Sequence, residues 1–170
     1  NHAKFFCKAR DGYGQWALWK AGPSTNQGTE VHTIYSSQTP KTEWTPTSAF
    51  TVGSASRAIT GLHPIGDSFV IGKVDGLWYW DAMTVDFVNV MPEWEHSVST
   101  ENAAVAEAWH GVLFFNTVRQ GFLTYDPNGG IIQDISKVLT TPRLTDIGGR
   151  ITAMGSDTRE LILGLDQPVA

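Results

Sequence analysis

Only one cysteine is present, Cys7, and there is no Cys-x-x-Cys pair, which excludes an intrachain disulfide scaffold, a cysteine zinc knuckle and dithiol redox chemistry. No two Lys or Arg are adjacent, and the net charge is -5 with a pI near 5.4. A chain without a basic run has no footprint for a phosphate backbone, so nucleic acid is not an expected partner. No apolar stretch approaches the roughly 18 to 20 residues of a membrane span, so membrane insertion is not expected either. The chain opens at Asn1 with no charged-then-apolar leader, which reads as a processed or incomplete chain.

Catalytic and metal signatures are equally sparse. The five histidines, His2, His32, His63, His96 and His110, show no ligand spacing such as His-x-x-x-His. There is no Gly-x-Ser-x-Gly elbow, and the glycine-rich stretches 12–14 and 148–149 fall in turns instead of opening a helix. Neither a metal nor a cofactor is expected, and a non-enzymatic role is favoured over an enzymatic one.

What the 170 residues do contain is 17 Gly, seven Trp and 41% apolar residues, with only 17% charged against about 25% in an average chain. That mix belongs to short strands separated by tight turns, and the expected fold class is all-β within a single domain.

The strongest signal is internal repetition. Ile59-Thr60-Gly61-Leu62, a Gly66-Asp67 turn, Phe69-Val70-Ile71-Gly72 and Leu77-Trp78-Tyr79-Trp80-Asp81 form one unit. Ala104 to Ala108, Val112 to Thr117 and Phe122-Leu123-Thr124-Tyr125-Asp126 form a second, with Gly76 to Gly121 and Asp81 to Asp126 both offset by 45. Ile151 to Met154 and Leu161 to Gly164 begin a third, with Ile59 to Ile151 and Gly72 to Gly164 offset by 92. One period is therefore 45 to 47 residues and holds four strands, the last being 85–90 and 131–135 in the two full units.

Four-stranded antiparallel units at this period are the pattern of a β-propeller. The repeats span roughly 1–43 (partial), 57–91, 103–136 and 150–170 (partial). In the opening unit, 3–8 is expected as a second strand, 15–20 as an aromatic third strand and 30–35 as the fourth. Residues 101–109 have strong helix propensity, yet the repeat places 104–108 as an innermost strand. Such strands give three blades and one further strand, fewer than the four or more that close a ring. An incomplete part of a larger ring is the expectation.

The unit from Ile59 to Val90, with its Gly66-Asp67 turn, Val70-Ile71-Gly72 strand and Asp75-Gly76-Leu77-Trp78-Tyr79-Trp80-Asp81 run, resembles the divergent WD40-like propeller repeats of bacteriophage virion proteins. Trp80-Asp81 stands where the family has its Trp-Asp dipeptide, and Tyr125-Asp126 is a weaker copy. The resemblance implies a tail or capsid-associated structural protein, located in a virion or outside the cell, with other structural subunits as partners; a cytoplasmic location stays open.

In a propeller the second-to-third-strand turns and the fourth-to-first connections share a rim that commonly binds ligands. The turns offer Arg10, Asp11, Tyr13, Asp75, Arg119 and Gln120, and the connections Glu43, Trp44, Glu93, Trp94, Glu95 and His96. Trp44, Asp75, Trp94, His96 and Arg119 are the candidate binding residues. A Trp face beside polar groups suits a pyranose, which makes surface glycan a second candidate partner, although such Trp residues also serve as wedges between blades. A glycosidase or lyase would instead pair rim carboxylates, such as Asp75 with Glu93 or Glu95, and a cellular scaffold would present the rim to partner proteins. Asp81 and Asp126 are expected to cap hairpin turns.

Overall fold

In a computed structural model the chain is described at residues 3–23, 32–42, 44, 49–73, 76–90, 106–117, 121–135 and 150–166. These residues form strands and turns without a helix. The first sheet is the meander β1 (Ala3–Arg10), β2 (Trp16–Pro23), β3 (Thr33–Ser37), β4 (Ala49–Thr51). The second contains β5 (Ile59–Ile65), β6 (Ser68–Lys73), β7 (Gly76–Asp81) and β8 (Asp86–Asn89). The third contains β9 (Ala106–Trp109), β10 (Val112–Thr117), β11 (Gly121–Asp126) and β12 (Ile131–Asp134), and the last pairs β13 (Arg150–Ser156) with β14 (Leu161–Asp166). The fold is all-β with the blade organisation of a β-propeller, and the described strands form no closed ring.

Local chemistry explains the second sheet. Ile65 pairs with Ser68 across a two-residue turn in which Gly66 takes φ 58°, the positive first angle that a tight hairpin of this twist needs and glycine supplies without steric strain. Ile71 pairs with Trp78 and Val70 with Tyr79, so alternate residues of β6 and β7 face opposite neighbours. All of β6 is buried, which is why its centre, Phe69 to Gly72, reads as an unbroken apolar run instead of an alternating one.

Sheets stack through three apolar layers. Trp19, Ile34, Phe69, Ile71 and Trp80 belong to the layer between the first and second sheets. Val70, Leu77, Leu113, Phe115 and Leu123 fill the next, and Phe122 with Ile151 centre the third. Trp19 and Trp80 meet at 4.9 Å between ring centroids, tilted by 55°, a geometry that aromatic quadrupoles favour. The first strands lie side by side, β1 against β5, β5 against β9 and β9 against β13, as the inner strands of successive blades do.

That arrangement corrects the expected strand order of the opening unit. β1 is a first strand, not a second, and β2 is a second strand, not a third. The fourth strand is β4, beyond the segment expected to close the unit. The offset alignment failed there because the connection from β3 to β4 is long, and because Trp16 and Trp19 place an aromatic pair on a second strand. The strand reading of 106–109 holds, since Phe115 pairs with Ala106 and Val112 with Trp109; residues 101–105 lie outside the described set. Val85, expected in the fourth strand of its unit, is instead the last residue of the preceding turn, at φ 56°.

Candidate functional site

Of the candidate binding residues, Asp75, Trp94, His96 and Arg119 lie outside the described residues, as do Glu43, Glu93, Glu95 and Gln120. Trp44 is described, and it is half-buried in the β3–β4 connection, not in a fourth-to-first connection. Its indole N–H donates to the Pro40 carbonyl at 2.9 Å, and the Lys20 ammonium sits 4.1 Å from its ring centroid. Because β1 is a first strand, the turn carrying Asp11 and Tyr13 is a first-to-second-strand turn. It shares its rim with the Gly66-Asp67 and His110-Gly111 turns, opposite the rim where the sequence pattern places it.

Two clusters stand out among the described residues of the first sheet. In the first, Asp11 Oδ1 accepts the backbone N–H groups of Tyr13 and Gln15, both at 2.9 Å, while Oδ2 accepts from Gln38 Nε2 at 2.7 Å. Burial by itself would raise the Asp11 pKa, but the hydrogen bonds from Gln38, Gln15 and Tyr13 outweigh it and hold the carboxyl below its usual range. Beside it, the Arg10 backbone N–H donates to the Asp67 carbonyl and the guanidinium Nε to Asp67 Oδ2, each at 2.8 Å. Arg10 also accepts the Trp80 indole N–H at 2.9 Å through its carbonyl. Three contacts thus join the end of β1 to the second sheet.

The second cluster is the outward face of the first sheet. Burial alternates along β1, with Cys7 and Ala9 buried and Lys4, Phe6 and Lys8 exposed. Across it Arg10 pairs with Trp16 and Phe6 with Lys20, so those side chains share the face away from the core. The Trp16 ring, 42% exposed, has Lys8 Nζ at 4.8 Å and the Arg10 guanidinium at 4.7 Å from its centroid. Lys20 reaches Tyr35 as well as Trp44. None of the four strands of this sheet contains an Asp or Glu. No run of adjacent cations announced this face; its signal was Lys4, Lys8 and Arg10 on even positions of one strand, where period-2 geometry gathers them.

Four further carboxylates serve the frame. Asp81 accepts from the Met83 N–H and the Thr84 hydroxyl at 2.9 Å, Asp126 from the Asn128 N–H at 2.9 Å, and Asp157 from the Arg159 and Glu160 N–H groups at 2.6 and 2.7 Å. The expected turn-capping roles of Asp81 and Asp126 are therefore observed. Glu107 accepts the Ser156 hydroxyl at 2.7 Å and Trp109 donates to the Asp157 carbonyl at 2.8 Å, which stitches the third sheet to the last. The Cys7 thiol is pushed up to about 12 by burial and stays protonated and unreactive. Among the described residues no group of three or more His, Cys, Asp or Glu is placed to hold a metal ion.

No protein-family model matches the sequence, and no curated protein does.

Proposed function

We propose that this chain is a non-enzymatic structural and adhesion module of a virion or a comparable extracellular assembly, whose blades form a stiff platform for particle assembly or host-surface contact. The observation that carries this reading is the Arg10 joint, where a backbone hydrogen bond, an ion pair with Asp67 and the Trp80 indole lock two blades together. Several constraints at one point resist the shear by which packed layers slide. The resemblance of the Ile59 to Val90 unit to WD40-like virion repeats supports the same reading. So does the deployment of Asp11, Asp81 and Asp157, whose hydrogen bonds favour the ionised form and leave them poor proton donors.

The test is co-sedimentation. An antibody against the chain is used to follow it through a density gradient of its native source, with surface labelling of the particle fraction by electron microscopy. The chain is expected in the particle fraction and on the particle surface. A chain found free, and turning over a glycan, would overturn the proposal and return the rim carboxylates to attention.

A further inference from the structure

The hairpin between β11 and β12 turns through Pro127-Asn128-Gly129-Gly130, with Asp126 paired to Ile131 at the end of the ladder. Pro127 presets the first angle of the turn, and Gly130 takes φ 61°, which returns the chain into β12. Asn128, Gly129 and Gly130 are all exposed. The Asn128 backbone N–H donates to Asp126 Oδ1 at 2.9 Å, whereas its carboxamide and the Gly129 N–H make no hydrogen bond among the described residues. This is the one Asn-Gly pair in the chain.

We propose that Asn128 is a site of spontaneous conversion to aspartate and isoaspartate, through a cyclic imide closed on the Gly129 nitrogen, and that the conversion loosens the β11–β12 hairpin. Solvent base takes the Gly129 amide proton, the nitrogen bonds to Asn128 Cγ, and the Cγ–Nδ2 bond breaks to release ammonia, which carries away a proton from water. Water, the only co-reactant, then opens the ring. Attack at Cγ gives aspartate; attack at the backbone carbonyl gives isoaspartate, whose main chain runs through the side chain. Glycine at 129 leaves the nitrogen uncrowded and its backbone angles free to reach Cγ.

The fold singles out this pair. Asp11-Gly12 closes the same ring only from a protonated carboxyl, and Asp11 is buried and held ionised by the Tyr13 and Gln15 N–H groups and the Gln38 amide. Asn89 and Asn116 lie in β8 and β10, each followed by a β-branched residue, Val90 and Thr117, whose side chain crowds the nitrogen. At Asn128 the product also changes the sheet. A new carboxylate stands close to that of Asp126, and isoaspartate lengthens the main chain between Asp126 and Ile131, which the ladder holds opposite each other. Among the described residues β12 is paired on one side only, to β11, so the turn buckles or the register slips. Ile132 of β12, which packs in the layer between the second and third sheets, loosens with it.

Ageing the full chain in mildly alkaline buffer tests the proposal and requires neither a particle nor a ligand. Peptide mass spectrometry follows each Asn, and a methyltransferase specific for isoaspartate reads the product. Residue 128 is expected to convert at least tenfold faster than Asn89 or Asn116, at a rate within about tenfold of that in urea-unfolded chain, with isoaspartate the major product. Asp11 should form isoaspartate in unfolded chain only. Amide hydrogen exchange across β12 should be faster in aged chain than in fresh chain. Asn128→Gln, which cannot close the five-membered ring, should age without either change; should that variant fail to fold, fresh wild type remains the reference. An intact Asn128 in the folded chain, conversion to aspartate alone, isoaspartate at Asp11 of the folded chain as fast as at residue 128, or unchanged β12 exchange after conversion would overturn the proposal.

Discussion

Trp80, buried at the heart of the second sheet, donates its indole N–H at 2.9 Å to the carbonyl of Arg10, the last residue of β1 in the first. A core side chain of one blade therefore completes the hydrogen bonding of its neighbour. Packing and polar satisfaction are joined in a single residue, so removing one function while keeping the other is informative.

Trp80→Phe keeps an aromatic ring in the layer and deletes the donor. The Arg10 carbonyl then loses a partner, which should lower stability by about 1–3 kcal/mol. The urea midpoint is expected to fall with its slope unchanged. Asp67→Ala, which breaks an exposed ion pair, should lose no more than about 1 kcal/mol. Equal losses in the two variants would mean that the joint lies in the ion pair and not in the indole.

Lys73 is fully buried, and its ammonium donates to the carbonyls of Val52 and Ser54, the second at 2.8 Å. Gly53, between them, has φ 56°, and a Cβ there would stand 2.7 Å from Trp78 Cζ2. Gly53→Ala should therefore destabilise the chain by more than about 1 kcal/mol, because backbone and packing both oppose it. Lys73→Met, which strips the donor from the buried Val52 carbonyl, should lose about 1–3 kcal/mol. Thermal melts of both variants check the link between the segment after β4 and the second blade; wild-type melting in either would break it.

His63 is buried on β5, its Nε2 makes no hydrogen bond, and burial pushes its pKa down from 6.5 to about 4. The unfolded chain binds this proton near pH 6.5 and the folded chain only near 4. Stability is therefore complete above the unfolded value and falls as pH drops between the two, by up to about 3 kcal/mol. Denaturation curves across that window should show the slope in wild type and lose most of it in His63→Leu. An identical slope in both would place the titrating group elsewhere.

Asp11 behaves in its own acid range. Its folded pKa lies below the ordinary 3.8 through the hydrogen bonds that outweigh burial, so its contribution is present above that value and is lost as pH falls through the folded pKa. Asp11→Ala should destabilise the first hairpin by about 1–2 kcal/mol at neutral pH and by progressively less in acid. A deficit that stays constant down to acid pH would show that the turn does not depend on the carboxylate charge.

The repeats made the second and third sheets legible, because there the turns are short and Asp81 and Asp126 mark the same corner of each unit. The first sheet was misread by one strand. Its long β3–β4 connection breaks the period, and Trp16 and Trp19 imitate the aromatic run of a third strand. Trp19 and Trp80 are the packing residues that a Trp-rich blade demands, while Trp16 is the exposed member of the set. Composition alone could not separate them; alternation along β2, with Ala17, Trp19 and Ala21 buried, does. The basic face stayed hidden because a search for adjacent cations cannot see charges that period-2 geometry brings together. Arg10 acts through its backbone as much as its charge, which no residue pattern announces.

Electron cryomicroscopy of particles from the native source, at a resolution that shows side chains, tests the proposed platform most directly. The expected map places the chain in an assembled particle, with the contacts of Arg10 to Asp67 and Trp80 intact between its first two blades. A map in which those blades separate at this joint, or in which the chain is absent from any assembly, would contradict it.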